Sequence, residues 1–306
     1  MNAIEINGVS KSYGAVNALD GITLSVHEAE MFGLIGPDGA GKTTLFRILA
    51  TLLGPDTGTA TVAGLDVVRH YRSIRNIVGY MPGKFSLYPD LSVAENLDFF
   101  AAMFGVKVKD NYELIAPIYE QIAPFAKRRA GKLSGGMKQK LALCCALVHR
   151  PAVLFLDEPT TGVDAVSRNE FWQMLAELKA NGITIFVSTP YMDEAQACDH
   201  VALINKGRVL AVDTPYKLTA GCGKNLYAVS AREMWPLMIA LRKLTQVAYC
   251  YTFGAAHHIV VREGFNSTDI ADTLARSGLH DVNISPVKGN IEDLFIKLMR
   301  NEQERK

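Results

Sequence analysis

The sequence is short of the features that mark several large classes of protein. Neither charge is in excess: 32 Lys and Arg stand against 31 Asp and Glu, a formal net charge of +1. That balance gives no global attraction to nucleic acid. No apolar run approaches the roughly 18 residues needed to span a bilayer, so a membrane role is expected to come through a partner. The opening, MNAIEINGVSKSYG, mixes acidic and basic residues and reads as a strand, not as a signal peptide. The five cysteines, Cys144, Cys145, Cys198, Cys222 and Cys250, show no Cys-x-x-Cys spacing and read as reduced thiols of a cytoplasmic protein. A chain of 306 residues suits about two domains.

Three short strings carry the chemistry: GPDGAGKTT at 36–44, LSGGMKQK at 133–140 and VLFLDEP at 153–159. Residues 31–35 (MFGLI) read as a buried strand and residue 43 onward as a helix start. Between them, Gly36-x-x-x-x-Gly41-Lys42-Thr43 has the spacing of a phosphate-binding loop. Gly36, Pro37, Asp38, Gly39, Ala40, Gly41, Lys42, Thr43 and Thr44 can wrap backbone N–H groups around a β-phosphate. The helix opening adds its positive dipole end. Lys42 is expected to reach the β- and γ-phosphates of ATP, and the Thr43 hydroxyl to ligate Mg²⁺. The apolar run of the third string suits a strand buried on both faces of a parallel sheet. Asp157 and Glu158 follow at its carboxyl end, where ligands bind in open α/β sheets. Asp157 is suited to the magnesium shell, and Glu158 to polarising the attacking water as general base.

The second string is polar and glycine-rich, yet it opens a helix, with Ser134 as N-cap, a body over 137–148 and Pro151 beyond the end. Ser134, Gly135, Gly136 and Gln139 form a second anion site at a helix start. One chain has no use for two distant triphosphate grips, whereas two chains facing head to tail do. In these residues the sequence resembles ATP-binding-cassette (ABC) ATPases over about residues 4–221. The resemblance implies an α/β fold: a P-loop NTPase (RecA-like) core with an antiparallel β subdomain and a helical subdomain at about 86–150, together spanning 1–221. It implies that Tyr13 stacks on adenine and that Asp164, in the loop TTGVD at 160–164, contacts a second cassette across the dimer interface. It also implies integral membrane permease subunits as partners, met near residues 85–91, with the chain cytoplasmic and peripheral on the inner face of the cell membrane. Nucleic acid is not an expected partner.

Ser92-x-x-Glu95 reads as a capping box, followed by Leu97, Phe100, Ala101 and Phe104 at helical spacing up to Gly105. That apolar stripe is read as core.

Two positions depart from the family pattern. Where it carries a glutamine that reaches magnesium and the attacking water, this chain has Gly83; where it carries a histidine at the γ-phosphate, this chain has Pro190. Glycine offers no side chain, and proline lacks even a backbone N–H. Lys84 and Tyr191 are the neighbours able to compensate. The expectation is intact ATP binding with impaired hydrolysis at this chain's own loop, and an intact signature that completes a competent site on a different cassette. That favours a heterodimer over a homodimer. The alternatives are a non-transport cassette ATPase and a non-hydrolysing ATP-binding regulator.

After a turn at 205–208 and a helix opened by Thr214-Pro215, Gly221-Cys222-Gly223 reads as a linker. The remaining pattern is βαββαβα, with helices capped at Ser267-Thr268 and Asn290, and suggests a small ferredoxin-like α+β module over 224–306. Its ending, PVKGNIEDLFIKLM, resembles the tails of ATPases that serve ABC-2-type and drug exporters. The adjacent His257 and His258 point to opposite faces of a strand, which disfavours a shared metal.

Overall fold

The computed structural model describes residues 1–223 and 225–304. Residue 224, where the C-terminal module is expected to begin, and residues 305 and 306 lie outside the described residues. The chain divides into two compact units, Met1–Pro215 and Tyr216–Lys306.

In the first unit, β1 (Asn2–Tyr13) and β2 (Val16–His27) form a long antiparallel hairpin. Along β2, Ile22, Leu24 and Val26 alternate inward, the period-2 pattern of a half-buried strand. β3 (Met31–Ile35) is buried at every residue, as its unbroken apolar run demands, and leads into α1 (Lys42–Leu49). β4 (Thr57–Val62) and β5 (Leu65–Asp66) complete an antiparallel sheet in the order β2-β1-β4-β5.

Then come α2 (Tyr71–Ile77) and β6 (Val78–Met81), followed by three helices: α3 (Val93–Met103), α4 (Tyr112–Tyr119) and α5 (Gly135–Leu147). The chain returns through β7 (Val153–Asp157), α6 (Ala165–Ala180), β8 (Thr184–Thr189), β9 (His200–Asn205) and β10 (Arg208–Asp213) to α7 (Pro215–Ala220). The second sheet has the order β10-β9-β3-β8-β7-β6, parallel except at the β10 edge.

Phe46 of α1 fixes the glycine-rich loop before that helix against this sheet. Its ring stacks on Phe186 of β8 at 4.8 Å and meets Phe155 of β7 edge-on at 6.0 Å. All three rings are fully buried. Each contributes roughly 1.5–3 kcal/mol of burial, so the start of α1 is held against the two strands that carry Asp157 and Ser188.

The capping box at Ser92 and Glu95 forms as the sequence predicts: Ser92 Oγ accepts from the Glu95 N–H at 3.2 Å and Glu95 Oε2 from the Ser92 N–H at 2.8 Å. The stripe behind it divides. Leu97 and Ala101 are buried core, but Phe100 and Phe104 are half-buried and wall a groove. Spacing alone could not separate a core stripe from a groove wall, because the difference lies in what packs opposite. Here Phe104 stacks on His149, just beyond α5, at 3.7 Å.

The second unit takes in α7 from Tyr216 onward and then runs β11 (Leu226–Ser230), α8 (Met234–Lys243), β12 (Val247–Phe253), β13 (Ala256–Val261), α9 (Ser267–Arg276), β14 (Asn283–Pro286) and α10 (Ile291–Glu304). All neighbours in the order β12-β13-β11-β14 are antiparallel, the split βαβ arrangement of a ferredoxin-like module. The N-cap of α9 is Asn266, one residue before the predicted Ser267: its Oδ1 accepts from the Thr268 N–H at 3.0 Å, a bond the serine did not win. Asn290 caps α10 reciprocally with Asp293, through bonds of 2.9 and 2.8 Å. His257 and His258 are buried with separate partners: His257 Nε2 lies 2.7 Å from Met234 O, and His258 Nδ1 lies 2.7 Å from Asp293 Oδ1.

Candidate functional site

The loop after β3 is shaped by close backbone approaches. A Cβ at Gly36 would lie 2.1 Å from Ile204 O. A Cβ at Gly41, which has φ 104° and caps α1, would lie 2.3 Å from Ala18 O. Only glycine fits either place. Lys42 is buried beneath the loop and donates to Gly36 O at 2.8 Å and Pro37 O at 3.0 Å. Its ammonium also pairs with Glu158 Oε1 at 3.0 Å. A groove of about 240 Å³ is lined by Tyr13, residues 39–44 and Glu158, among others. The structure thus brings Tyr13, the loop and Glu158 together. Asp38 and Gly39 are exposed, Ala40 is buried, and Pro37, Thr43 and Thr44 are half-buried. The first turn of α1 carries no acidic side chain to offset its positive end.

Asp157 sits deeper, at the buried end of β7. Its Oδ1 accepts from Ser188 Oγ at 2.7 Å. Burial, with the Asp157 charge beside it, pushes the Tyr80 phenol up to about 12. Glu158 has φ 52°, in the left-handed region that a non-glycine residue enters at a cost of about 1–3 kcal/mol. Its N–H is held by both Ser188 O and Ser188 Oγ at 3.0 Å. Gly83 lies against this turn: a Cβ there would sit 2.9 Å from Asp157 O and 3.7 Å from Glu158 Cβ. Pro190 follows the end of β8. Beside it, Thr189 Oγ1 donates to the Glu194 carboxylate and accepts from the Tyr191 N–H at 3.1 Å. The Tyr191 ring is engaged by the Arg168 guanidinium, 4.9 Å from its centroid. Lys84 is exposed.

The signature segment is built separately. Ser134 Oγ accepts from the Met137 N–H at 3.4 Å and caps α5, whose first turn has no acidic residue. Ser134 and Gly135 are exposed. Gly136 packs so closely on α6 that a Cβ would lie 2.9 Å from Ser167 Oγ. Asp164 caps α6 through the Ser167 N–H at 3.0 Å, and that bond holds its carboxyl below the usual carboxylate range. Gln139 shares a narrow crevice with Gly136, Thr160, Val163 and Ser167. The crevice and the phosphate-loop groove have no lining residue in common.

A third feature is an apolar groove of about 450 Å³ between β6, α3 and α5, walled by Leu52, Met81, Phe100, Met103, Phe104 and His149, among others. Leu52, Phe85, Tyr88 and Met103 are exposed at or near it. His149 Nε2 lies 3.0 Å from Val78 O, and burial lowers its pKa. The segment leading into α3 is tied down by Asn96, which accepts from the Tyr88 N–H and donates to Tyr88 O, Leu91 O and Ser92 O at 2.9–3.2 Å. Sequence reasoning missed Asn96 and Ser188. The available signal for Asn96 was a polar residue among apolar positions early in α3. Among the described residues, no helix is long and apolar enough to cross a membrane.

The sequence profile of the ABC transporter family matches residues 19–161. The chain is 40% identical over 302 residues to the probable multidrug ABC transporter ATP-binding protein YbhF of Escherichia coli (strain K12), covering 97% of this chain and 52% of that one. It therefore spans about half the length of that relative. It is 35% identical over 311 residues to the daunorubicin resistance ATP-binding protein DrrA2 of Streptomyces coeruleorubidus, covering 99% and 96% of the two chains. To the Nod factor export ATP-binding protein I of Paraburkholderia xenovorans (strain LB400) it is 38% identical over 315 residues, covering 99% and 98%. Among solved structures, an ATP-binding subunit of an ABC transporter superposes with a TM-score of 0.65 at 27% identity, over 72% of this chain and 92% of that one. A dimeric cassette bound to ADP and Pi, MJ0796, matches in fold with a TM-score of 0.63 at 23% identity, over 69% and 98%. With relatives this similar along nearly the whole of both sequences, the chain belongs to the ATP-binding proteins of the ABC transporter family.

Proposed function

We propose that this chain is the ATP-binding subunit of an exporter, that it closes head to tail on a second cassette, and that its own phosphate loop hydrolyses slowly. The supporting observation is the separation of its two anion grips. Lys42 is enclosed in one, beside Glu158, while Ser134 and Gly135 are exposed on a helix start with no shared lining.

ATP is the substrate. Residues 36–44 cradle its phosphates, Lys42 counters charge on the β- and γ-phosphates, and Tyr13 stacks on adenine. Thr43 and Asp157 would hold Mg²⁺. The donor set fits: this ion takes one or two protein oxygens and fills its octahedron with phosphate oxygens and water. When bound it supplies charge neutralisation. Glu158 accepts the proton of the attacking water. Ser134, Gly135, Gly136 and Gln139 grip the γ-phosphate held by the other cassette, and Asp164 lies on the facing surface.

Gly83 and Pro190 support impaired turnover. Losing one positioned transition-state donor costs about 10²–10³ in rate, and groups that act as a unit do not lose additively. The engagement of Tyr191 with Arg168 argues against its standing in for the missing histidine. A heterodimer follows, because a homodimer carries two impaired sites. The apolar groove beside Phe100 and Phe104 suits a helix of an integral membrane permease, which holds the chain at the inner face of the cell membrane. The same two positions favour, as a second reading, a regulator that binds ATP without hydrolysing it.

The test is hydrolysis by the purified full chain, alone and with the cassette that co-purifies from membranes. The proposal expects tight MgATP binding, slow turnover alone and fast turnover in the pair. Fast turnover alone that Glu158→Gln abolishes would contradict it. No turnover in either setting, with binding intact, would favour the regulator.

A further inference from the structure

The parallel register of β7 and β8 sets Asp157 beside Ser188. Ser188 is fully buried, and its one hydroxyl serves both members of the Asp157–Glu158 pair. It donates to Asp157 Oδ1 at 2.7 Å and accepts from the Glu158 N–H at 3.0 Å. The Ser188 carbonyl takes the same N–H at 3.0 Å. Among the described residues, Ser188 is the only side chain hydrogen-bonded to the Asp157 carboxylate.

We propose that Ser188 is the positioning residue of the site, orienting Asp157 toward Mg²⁺ while holding Glu158 in its left-handed turn. The inference rests on the reading of Asp157 as a ligand of the nucleotide-bound ion. A hydroxyl carries one hydrogen and two lone pairs. Spending the hydrogen on Asp157 leaves a lone pair for Glu158, so one rotor state fixes both groups. The left-handed backbone at Glu158 carries strain that persists only when its surroundings over-determine it, and the two acceptors on Ser188 supply that constraint. Two residues further along, Pro190 has no N–H to offer, and Thr189 is committed to Glu194 and Tyr191. The polar reach of β8 toward the pair is therefore concentrated at Ser188.

Outer partners of metal ligands typically govern metal affinity or activity by about 10–100-fold. The experiment titrates a fluorescent ATP analogue into the full chain with and without Mg²⁺, for wild type, Ser188→Ala and Ser188→Thr, with thermal unfolding measured alongside. Ser188→Ala is expected to keep metal-free nucleotide affinity within about twofold of wild type while half-saturation by Mg²⁺ weakens by about 10–100-fold. Ser188→Thr, which keeps the hydroxyl, is expected to recover most of that loss. An alanine variant with unchanged Mg²⁺ dependence overturns the proposal. So does one whose two binding modes fall together with its unfolding temperature, since that marks a purely structural role. If the wild-type chain binds no ATP under either condition, the assigned function fails, and this inference with it.

Discussion

Lys42 Nζ and Glu158 Oε1 stand 3.0 Å apart, so the lysine that opens α1 and the carboxylate that follows β7 form one ion pair. The ammonium also donates to Gly36 O and Pro37 O, which leaves it fully engaged. On the proposed function, a triphosphate that draws Lys42 away from Glu158 replaces this ion pair with its own and leaves the carboxylate to meet water. On that proposal, phosphate binding and release of Glu158 are linked events.

That linkage predicts opposite effects at the two residues. Glu158→Gln removes the competitor for Lys42 and is expected to tighten ATP binding by roughly two- to tenfold, the scale of a net hydrogen bond. Lys42→Ala removes a charge-assisted contact and is expected to weaken binding by roughly 10–100-fold. Calorimetric titration of the full chain reads both. Equal loss in the two variants would show that the pair is a folding contact only.

The two departures from the family pattern should not respond alike to repair. Pro190→His replaces a residue at the free end of β8 and is expected to raise turnover at this chain's own site by up to about 10²-fold. Gly83→Gln meets a backbone: its Cβ would lie 2.9 Å from Asp157 O, so the loop must shift before the side chain helps. Alone it is expected to give no gain in turnover and a lower unfolding temperature. Steady-state hydrolysis with thermal unfolding separates the two outcomes.

The strand, loop and helix at residues 31–49 and the start of α3 were legible in the linear sequence because their signals are local. A glycine spacing between a strand and a helix predicts the tight loop before α1, and Ser92 with Glu95 predicts the start of α3. What escaped was set by pairing between distant segments. Ser188 acquires its role only when β7 and β8 align in register, 31 residues after Asp157. Phe100 and Phe104 have the spacing of core residues, and only their packing near α5 and His149 turns them into a groove wall. The cap of α9 fell on Asn266 because three adjacent polar residues could each serve, and geometry chose among them.

In the C-terminal unit, Asp293 Oδ1 accepts from the Tyr251 hydroxyl at 2.6 Å and lies 2.7 Å from His258 Nδ1, while Oδ2 takes the Asn290 N–H. Asp293→Ala leaves the buried His258 and the half-buried Tyr251 without this acceptor and opens the cap of α10. The expected cost is about 1–3 kcal/mol, read as a lower unfolding temperature with little change in ATP affinity.

Stability should also fall at alkaline pH. Burial, joined by the nearby Asp157 charge, raises the Tyr80 phenol from its ordinary value near 10 to about 12. Between those values the folded chain binds more protons than the unfolded one, so stability declines as pH rises. Below about 10 the contribution is fully present. Denaturant unfolding at pH 9 to 12 is expected to show this decline, with a shallower slope in Tyr80→Phe.

The head-to-tail arrangement is tested most directly by hydrolysis in the two-cassette complex purified with this chain carrying either Glu158→Gln or Ser134→Arg. If the competent site is built on the other cassette, as proposed, Glu158→Gln should leave most of the turnover. An arginine at the start of α5 should abolish it by blocking the grip on that cassette's nucleotide. The reverse pattern, with turnover lost in Glu158→Gln and retained in Ser134→Arg, would contradict the account.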